Sequence, residues 1–254
     1  MRIAIVTGAS SGLGEEFVRI ISEQYEAIDE IWVIARRGDR LEALKEKYSG
    51  KAIFPITLDL TKNESYKTLS DMLESEKPEI GILVNNAGFG TLGDFDEMDI
   101  SSQTRMIDLN NRALTAVTSV ALPYMKKGSF IVNVCSIASF APNPRMTVYC
   151  STKAYVLSFS KSLRFELKKK RGINVLALCP GPMDTEFLPV AGIEKGASHT
   201  FDTLPRVNPR MAAERSLYCA AKGRGIYTPR AFFKFYRFLA KLLPHGIVMH
   251  MSKT

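Results

Sequence analysis

Residues 6–17, which read VTGASSGLGEEF, place glycines at 8, 12 and 14 between an apolar run and a helical pattern. A turn that leads into a helix offers free backbone N–H groups and the positive end of the helix dipole to a phosphate. The spacing here, G-x-x-x-G-x-G, differs from the commoner G-x-G-x-x-G. By itself, the turn is compatible with phosphate binding, with an exposed nucleophilic serine or with simple chain reversal.

Two of the alternatives for this turn lose support from its surroundings. Residues 8–12 match the G-x-S-x-G elbow of hydrolases, but too few residues precede Gly8 to form the earlier strand whose following loop completes an oxyanion hole. No Lys-Ser or Lys-Thr pair follows Gly14, which disfavours a nucleoside-triphosphate loop. Dinucleotide binding remains the favoured interpretation.

Short apolar runs alternate with longer segments of helical period, which is typical of a parallel sheet buried on both faces. We therefore predict a single α/β domain over residues 1–254, with a doubly wound parallel sheet of the Rossmann type. The predicted strands are 2–7, 30–35, 52–57, 80–85, 129–135 and 173–178. The predicted helices are 12–25, 39–48, 62–75, 101–126 and 147–171.

The pattern changes after residue 180, where prolines and glycines interrupt any long helix. We interpret residues 182–222 as a lid over the substrate site. Residues 231–245 predict an amphipathic helix with a broad apolar face and a narrow basic stripe. Packing over the cleft or against a partner subunit is the favoured interpretation of this helix, and contact with an anionic membrane surface is the alternative.

Composition narrows the class of protein. The chain has 254 residues, 46% hydrophobic and 24% charged, and a formal charge of +8. Its basic residues are not interleaved with aromatic ones as in RNA readers, so we expect no nucleic-acid partner. The four cysteines and three histidines show no metal-ligand or disulfide spacing, and the N-terminus enters a strand directly, so we expect a cytoplasmic protein without a metal.

The end of the second predicted strand indicates which dinucleotide binds. An acidic residue there holds the ribose hydroxyls of NAD, whereas this chain has Arg36 and Arg37. Two guanidinium groups, together with the hydroxyl of Ser10, are suited to a 2′-phosphate. We therefore expect NADP(H) in preference to NAD(H).

A second constellation points to acid–base chemistry. Tyr149 and Lys153 share one face of the predicted helix 147–171, since residues four apart are neighbours. A phenol is a poor acid–base at neutral pH unless a nearby positive charge lowers its pKa, and Lys153 can supply that charge. Ser136 ends the fifth predicted strand and is expected to join them.

Taken together, the motifs resemble those of the short-chain dehydrogenase/reductase family. They occur in the family's order and cover residues 1 to about 185. The matching segments are TGASSGLG (7–14), Asp59-Leu60, NNAG (85–88), Asn110, Ser136, Tyr149-x-x-x-Lys153 and PGPMDT (180–185).

The resemblance implies a role for each matching residue. Tyr149 is expected to exchange a proton with the substrate oxygen, Ser136 to stabilise that oxygen, Lys153 to hold the nicotinamide ribose, and Asn110 to support a proton-relaying water chain. The expected cofactor-binding residues are Gly8, Ser10, Ser11, Gly12, Leu13, Gly14, Arg36, Arg37, Asp59, Leu60, Asn86, Ala87, Gly88, Tyr149, Lys153, Pro180, Gly181, Met183 and Thr185.

Substrate and assembly are less well defined by the sequence. The segments 89–95, 137–146 and 186–193 are mostly apolar, which favours a bulky hydrophobic ketone or alcohol such as a steroid, bile acid or acyl compound. We expect a homodimer formed through helices 101–126 and 147–171. Epimerisation or dehydration at the same site, or a cofactor-binding sensor or scaffold, are the alternatives.

Overall fold

Seven parallel strands form the centre of the computed structural model, which describes residues 1–193 and 203–251. Their spatial order is β3-β2-β1-β4-β5-β6-β7, which confirms the predicted doubly wound fold. The order reverses between β1 and β4, and ligands of such sheets bind beside that point at the carboxyl ends of the strands. The strands are β1 (Arg2–Thr7), β2 (Glu30–Ala35), β3 (Ala52–Thr57), β4 (Glu79–Asn85), β5 (Phe130–Val134), β6 (Asn174–Leu178) and β7 (Ile226–Tyr227).

Apolar side chains on both faces of the strands explain why the sheet is central. In β1, Ile3 and Ile5 join the core on one side, while Ala4 and Val6 join the core on the other. Successive side chains of a strand point to opposite faces, so a continuous apolar run must be covered twice. The six predicted strands agree with the structure to within about one residue, and the two-residue strand β7 was not predicted.

Helices cover both faces of this sheet. The helix predicted over 101–126 consists of α4 and α5 with a π-helical turn (Asp108–Ala113) between them, and it ends in a short 3₁₀ turn (Leu122–Tyr124). The helices are α1 (Gly12–Gln24), α2 (Gly38–Lys47), α3 (Asn63–Glu76), α4 (Ile100–Ile107), α5 (Leu114–Ala121), α6 (Thr147–Arg171), α7 (Phe187–Val190), α8 (Pro209–Ala221), α9 (Ala231–Leu242) and α10 (His245–Met251).

The predicted lid region, 182–222, contains two different kinds of structure. Its last part is α8, whose Ala212, Ala213 and Leu217 are buried in the same core as α1, so α8 belongs to the helical layer of the sheet. The part that borders the ligand cleft includes α7. Residues 194–202 of the predicted lid lie outside the described residues.

The C-terminal helix α9 docks onto the end of β6 through one aromatic ring. Phe233 is fully buried, and a Cβ atom built on Gly181 would lie 2.2 Å from two carbons of its ring. Glycine at position 181 is therefore what allows the ring to lie against the backbone of the Pro-Gly turn. This contact fixes one face of α9 over the cleft.

Other features bear on the composition-based expectations. The four cysteines are buried and free. Within residues 1–193 and 203–251, no group of three or more His, Cys, Asp or Glu side chains is placed to hold a metal. None of the described helices is long and apolar enough to cross a bilayer.

The contact between Gly181 and Phe233 predicts a specific loss of stability. Gly181→Ala forces the Phe233 ring away from the turn, which we expect to lower the free energy of unfolding by about 1–3 kcal/mol. For a chain of this size, the midpoint of thermal unfolding then falls by roughly 2–10 °C, measurable by circular dichroism. Gly246→Ala is the control, because a Cβ there meets open space in α10. Equal midpoints for the two variants would contradict the assigned contact.

Candidate active site

A cleft of about 920 Å³ lies at the carboxyl ends of the strands, beside the reversal in strand order. All of the predicted site residues except Gly14 and Asn110 line it. Its volume is within the range of sites that hold small molecules and cofactors. Both exceptions lie directly behind the lining and support it.

The glycine turn forms one end of the cleft. Gly8 and Gly12 adopt positive φ angles of 67° and 56°, which L side chains rarely adopt. A Cβ on Gly14 would lie 2.1 Å from the carbonyl oxygen of Gly8, so Gly14 allows the helix to pack on the turn and does not line the cleft. The N-cap residue of α1, Ser11, forms no side-chain capping bond. The N–H groups at this helix end are therefore available to an anion, which fits the phosphates of a dinucleotide.

The end of β4 holds this turn in place. The Asn86 amide Nδ2 donates to the carbonyl oxygens of Thr7 and Gly8, at 3.1 Å each. In return, Thr7 Oγ1 accepts the backbone N–H groups of Asn86 and Ala87, at 3.0 Å each. Asn86 therefore connects the two central strands through its side chain, while Ala87 and Gly88 line the cleft.

A polar cluster closes the cleft beside the end of β2. The Arg37 guanidinium donates to Ser10 Oγ at 3.0 Å and Ser11 Oγ at 2.8 Å, and it pairs with Glu186 Oε2 at 2.8 Å. Arg40 pairs with the other oxygen of the same carboxylate at 2.5 Å. Hydrogen bonds from Arg40 and Arg37 lower the pKa of Glu186 to about 2, so this side chain is ionised across the neutral range.

Arg36 and Asp59 lie near this cluster but form none of its hydrogen bonds. Arg36 is exposed at the rim of the cleft. Burial tends to raise the pKa of Asp59, but hydrogen bonds from Thr61 and the charge of Arg36 outweigh it and hold the pKa below its ordinary value. Asp59 is not the N-cap of α3, because Lys62 occupies that position; its carboxylate accepts the backbone N–H of Thr61 at 3.0 Å.

Tyr149 and Ser136 meet in the apolar part of the cleft. Burial raises the pKa of the Tyr149 phenol above its ordinary value, while a hydrogen bond with Ser136 acts in the opposite direction. The sequence-based expectation was a lowered pKa, but burial outweighs the other contributions in this geometry. The Phe187 ring lies 5.7 Å from that of Tyr149, between centroids, and helps exclude water.

Lys153 lies one helical turn after Tyr149, and both side chains are buried. Its Nζ donates to the carbonyl oxygen of Val134 at 3.0 Å and is 5.7 Å from the centroid of the Tyr149 ring. Burial lowers the pKa of the Lys153 ammonium. The ammonium borders the cleft next to Tyr149, as the shared helix face predicts.

Asn110 holds the wall behind these residues. It lies in the π-helical turn between α4 and α5, a distortion that is frequent at functional sites. Its Oδ1 accepts the N–H of Phe89 at 3.0 Å, and its Nδ2 donates to the Phe89 carbonyl at 2.9 Å and to Thr152 Oγ1 at 3.0 Å. Support of a water chain stays a prediction, whereas the structure gives Asn110 a positioning role between the Gly88 loop and α6.

Several site residues were not found from the sequence. Glu186 and Arg40 are distant in sequence, and only the fold shows that they form an ion pair. Thr7 and Thr152 form hydrogen bonds with the motif residues Asn86 and Asn110. The predicted apolar segments do contribute to the cleft. Apolar lining from α9 is added to them: Phe232, Phe233, Phe235, Tyr236 and Leu239.

Comparison with known proteins identifies the family of this chain. The family described as short chain dehydrogenase matches residues 2–193. The chain belongs to this family. The 11-beta-hydroxysteroid dehydrogenase of Pinus massoniana is 34% identical over 192 residues, which are 73% of this chain and 52% of that protein.

Two solved structures show the same fold. A short-chain dehydrogenase from Sphingobium yanoikuyae in complex with NADPH has a TM-score of 0.81 and 28% identity, and the alignment covers 98% of this chain and 95% of that one. The bulky-bulky ketone specific alcohol dehydrogenase from Comamonas testosteroni has a TM-score of 0.74 and 27% identity, with 98% and 94% covered. These matches support an oxidoreductase that acts on alcohol or carbonyl groups with a nicotinamide dinucleotide.

The contact between Ser136 and Tyr149 predicts a pH effect. Because the pKa of Tyr149 is raised, the phenol is protonated at neutral pH, and kcat/KM for alcohol oxidation should increase toward alkaline pH as phenolate forms. Ser136→Ala removes a contribution that lowers this pKa, so the rising limb moves to higher pH. On that limb, each pH unit by which the limb moves lowers kcat/KM about tenfold at a fixed pH.

The control for this pH effect is Ser151→Ala, whose hydroxyl bonds the carbonyl of Thr147 on the exposed side of the same helix. Its pH profile should match that of the unmodified protein. An unmoved limb in Ser136→Ala would show that Ser136 does not act on the Tyr149 proton.

Proposed function

We propose that the protein is an NADP(H)-dependent oxidoreductase that interconverts a bulky, apolar ketone and its secondary alcohol. The observation that carries the proposal is one continuous cleft that Tyr149, Ser136 and Lys153 share with a glycine turn and an arginine-serine cluster. The acid–base group and the anion-binding group thus border the same space. A scaffold would have no need for this combination.

The protein's own part in the reaction follows from its proton donors. Tyr149 gives its phenolic proton to the carbonyl oxygen in reduction and takes it back in oxidation. Ser136 Oγ accepts the N–H of Ala138 at 3.1 Å, and its own proton, which stabilises the Tyr149 oxygen in this structure, turns to the substrate oxygen when substrate binds. The bound dinucleotide supplies the hydride chemistry.

Lys153 has the geometry for two tasks. One of its N–H groups bonds Val134, which leaves two for the ribose hydroxyls of the cofactor. Its positive charge, held close to the Tyr149 ring, favours the phenolate that oxidation requires.

Preference for NADP(H) rests on the cluster at Arg37. Its guanidinium donates to the hydroxyls of Ser10 and Ser11 and to the carboxylate of Glu186, which is an anionic oxygen group like a 2′-phosphate. We infer that the phosphate takes the place of this carboxylate, so Arg37 contributes more than the exposed Arg36. The NADPH complex of the Sphingobium relative supports the same preference.

The proposed substrate class follows from the apolar wall of the cleft. Phe187, Leu188 and the residues of α9 surround the space next to Tyr149 with few polar groups. Such a wall favours a large hydrophobic substrate over a small polar one. The hydroxysteroid dehydrogenase of Pinus massoniana and the bulky-bulky ketone specific alcohol dehydrogenase of Comamonas testosteroni, to which this chain is similar, support this class.

A homodimer is the proposed assembly. On α6, Phe165 is 84% exposed, and Tyr155 stacks on Phe159 at the surface with its ring half exposed. These aromatic side chains suit an interface formed by residues 101–126 and 147–171, which are the helices predicted to pair in a dimer. Sedimentation velocity should give the mass of two 28.3 kDa chains.

A direct test of the function uses the purified protein, NADPH and a panel of ketones that ranges from small polar to bulky apolar. We expect NADPH oxidation that requires a ketone and is fastest with the bulky compounds. Tyr149→Phe should reduce kcat by at least two orders of magnitude while NADPH affinity is nearly retained, because only the transferred proton is lost.

Tyr155→Phe is the matched control. Tyr155 is on the same helix as Tyr149, but its hydroxyl is hydrogen-bonded to Thr115 of α5 at the surface. It should retain full activity. Retention of more than about a tenth of kcat by Tyr149→Phe would refute the assigned role. Cofactor binding without turnover on any compound would favour a sensor, and product formation without net NADPH consumption would favour an epimerase or dehydratase.

The Arg37 cluster predicts opposite effects for its two partners. Arg37→Ala should weaken NADPH binding by roughly 10- to 100-fold with little effect on NADH, because one charge-assisted contact is worth about 1.5–3 kcal/mol. Glu186→Gln should strengthen NADPH binding, because a competing carboxylate is removed. Isothermal titration measures both, with Arg36→Ala as the comparison that should change less. An unchanged NADPH to NADH ratio in Arg37→Ala would show that the 2′-phosphate binds elsewhere.

A further inference from the structure

The net positive charge of this chain comes from its C-terminal segment. Residues 215–254 contain eight Lys and Arg and no Asp or Glu. Since the whole chain has 34 basic and 26 acidic residues, residues 1–214 carry 26 of each. The entire formal charge of +8 therefore belongs to the last 40 residues, which include α9 and α10.

The outer face of α9 is apolar although it lies in solvent. Phe235, Phe238 and Leu242 are three and four residues apart, so they form one stripe on the helix. They are 61%, 57% and 62% exposed. The opposite face, with Phe233 and Ala240, is buried against the protein. Packing over the cleft, the favoured interpretation of this helix, thus accounts for one face only.

Basic side chains flank the exposed stripe on one side. Lys234, Arg237 and Lys241 follow the same helical spacing and are exposed. Among the described residues, none of the three takes part in an ion pair. Arg237 Nη1 donates to the neutral Thr228 Oγ1 at 3.4 Å, which leaves its charge uncompensated, so the charge of all three is available to an anionic partner.

The other side of the stripe continues into the cleft. Phe232, Tyr236 and Leu239 line the cleft, and so does Phe235 of the stripe itself. Phe232 and Phe235 are both more than half exposed. Ile247 of α10 and Val190 of α7 add further exposed apolar surface. The exposed face of α9 is thus connected to the apolar wall of the site.

We propose that α9 and α10 form a surface that docks the protein on an anionic lipid bilayer. An apolar stripe with basic residues beside it is the pattern of a helix that lies in the interface of a membrane. With 12 residues, α9 is about 18 Å long, which is too short to span the apolar core of a bilayer. The docking is independent of the chemistry proposed for the cleft.

A second copy of the chain is the other occupant to consider. In a two-fold contact through α9, the stripe of one copy would bring Lys234, Arg237 and Lys241 close to the same residues of the other. The last 40 residues contain no carboxylate side chain that could pair with them. Charge complementarity therefore favours an anionic surface over self-association at this face.

The test is co-sedimentation of the full chain with phosphatidylcholine vesicles, with and without phosphatidylglycerol. We expect binding to the anionic vesicles that weakens at high salt. Lys234→Gln with Lys241→Gln should lower the partition coefficient by about 30-fold. Phe238→Ser with Leu242→Ser should lower it by at least about tenfold. Neither residue of this second pair lines the cleft.

Matched controls carry the same chemical changes away from this surface. They are Lys169→Gln with Lys170→Gln on α6, and Phe95→Ser, which removes an aromatic ring that is 59% exposed and does not line the cleft. These variants should bind vesicles like the unmodified protein. Thermal unfolding of every variant verifies that it is folded.

Three outcomes would overturn the proposal. One is the absence of sedimentation with anionic vesicles, and another is equal loss of binding in the control variants. The third is a lower oligomeric mass for Phe238→Ser with Leu242→Ser in sedimentation velocity, without lipid binding by the unmodified protein, which would assign the face to a second copy. Because the readout is binding, the result is independent of whether the carbonyl assay succeeds.

Discussion

The side-chain amide of Asn86 binds the carbonyl oxygens of Thr7 and Gly8, and the rest of the site depends on this cross-link between β1 and β4. These two strands lie where the strand order reverses. Beyond their last backbone pair, Val6 with Val84, the two chains are connected by side-chain hydrogen bonds of Thr7 and Asn86. With the turn held from β4, Gly14 can approach the Gly8 carbonyl and direct the start of α1 toward the cleft. The end of the cleft formed by the glycine turn is thus shaped by Asn86, which is 79 positions from Thr7 in the sequence.

From β4, the same support continues to the acid–base residues. The chain leaves Asn86 through Gly88 and reaches Phe89, whose backbone is bonded on both sides by Asn110. Asn110 in turn donates to Thr152, one residue before Lys153. The π-helical turn makes this possible, because it shifts the position of Asn110 within an otherwise regular helix. The glycine turn and the helix that carries Tyr149 are therefore positioned by hydrogen bonds on either side of the 86–89 segment.

The sequence predicted well those features that depend on local patterns. Strand and helix positions follow from continuous apolar runs and helical periodicity, and the observed elements agree closely with them. Motif spacing predicted which residues line the cleft, with Gly14 and Asn110 as the exceptions. Gly14 packs on the Gly8 carbonyl and Asn110 bonds Phe89 and Thr152, and the spacing of motifs in the sequence does not predict these contacts.

Features that depend on contacts between distant segments were not predictable in the same way. Arg36 and Arg37 are adjacent in sequence, and only the fold shows that Arg37 meets Ser10, Ser11 and Glu186 while Arg36 stays exposed. The predicted direction of the shift in the Tyr149 pKa was wrong, because the shift depends on how deeply the whole cleft buries the side chain. The contact of Phe233 with Gly181 likewise joins segments that have no common motif.

The C-terminal helix shows how one element can satisfy two separate demands. Forming the wall of the cleft requires apolar residues at Phe232, Tyr236 and Leu239, and docking onto β6 requires Phe233. Neither demand extends to Phe238 or Leu242, which face solvent and do not line the cleft. A helix selected only to cover the cleft would gain solubility from polar residues at these positions. Since the charges of α9 all lie along one flank, its outer face retains an apolar character that the cleft does not require, and an anionic bilayer satisfies both the apolar stripe and the basic flank.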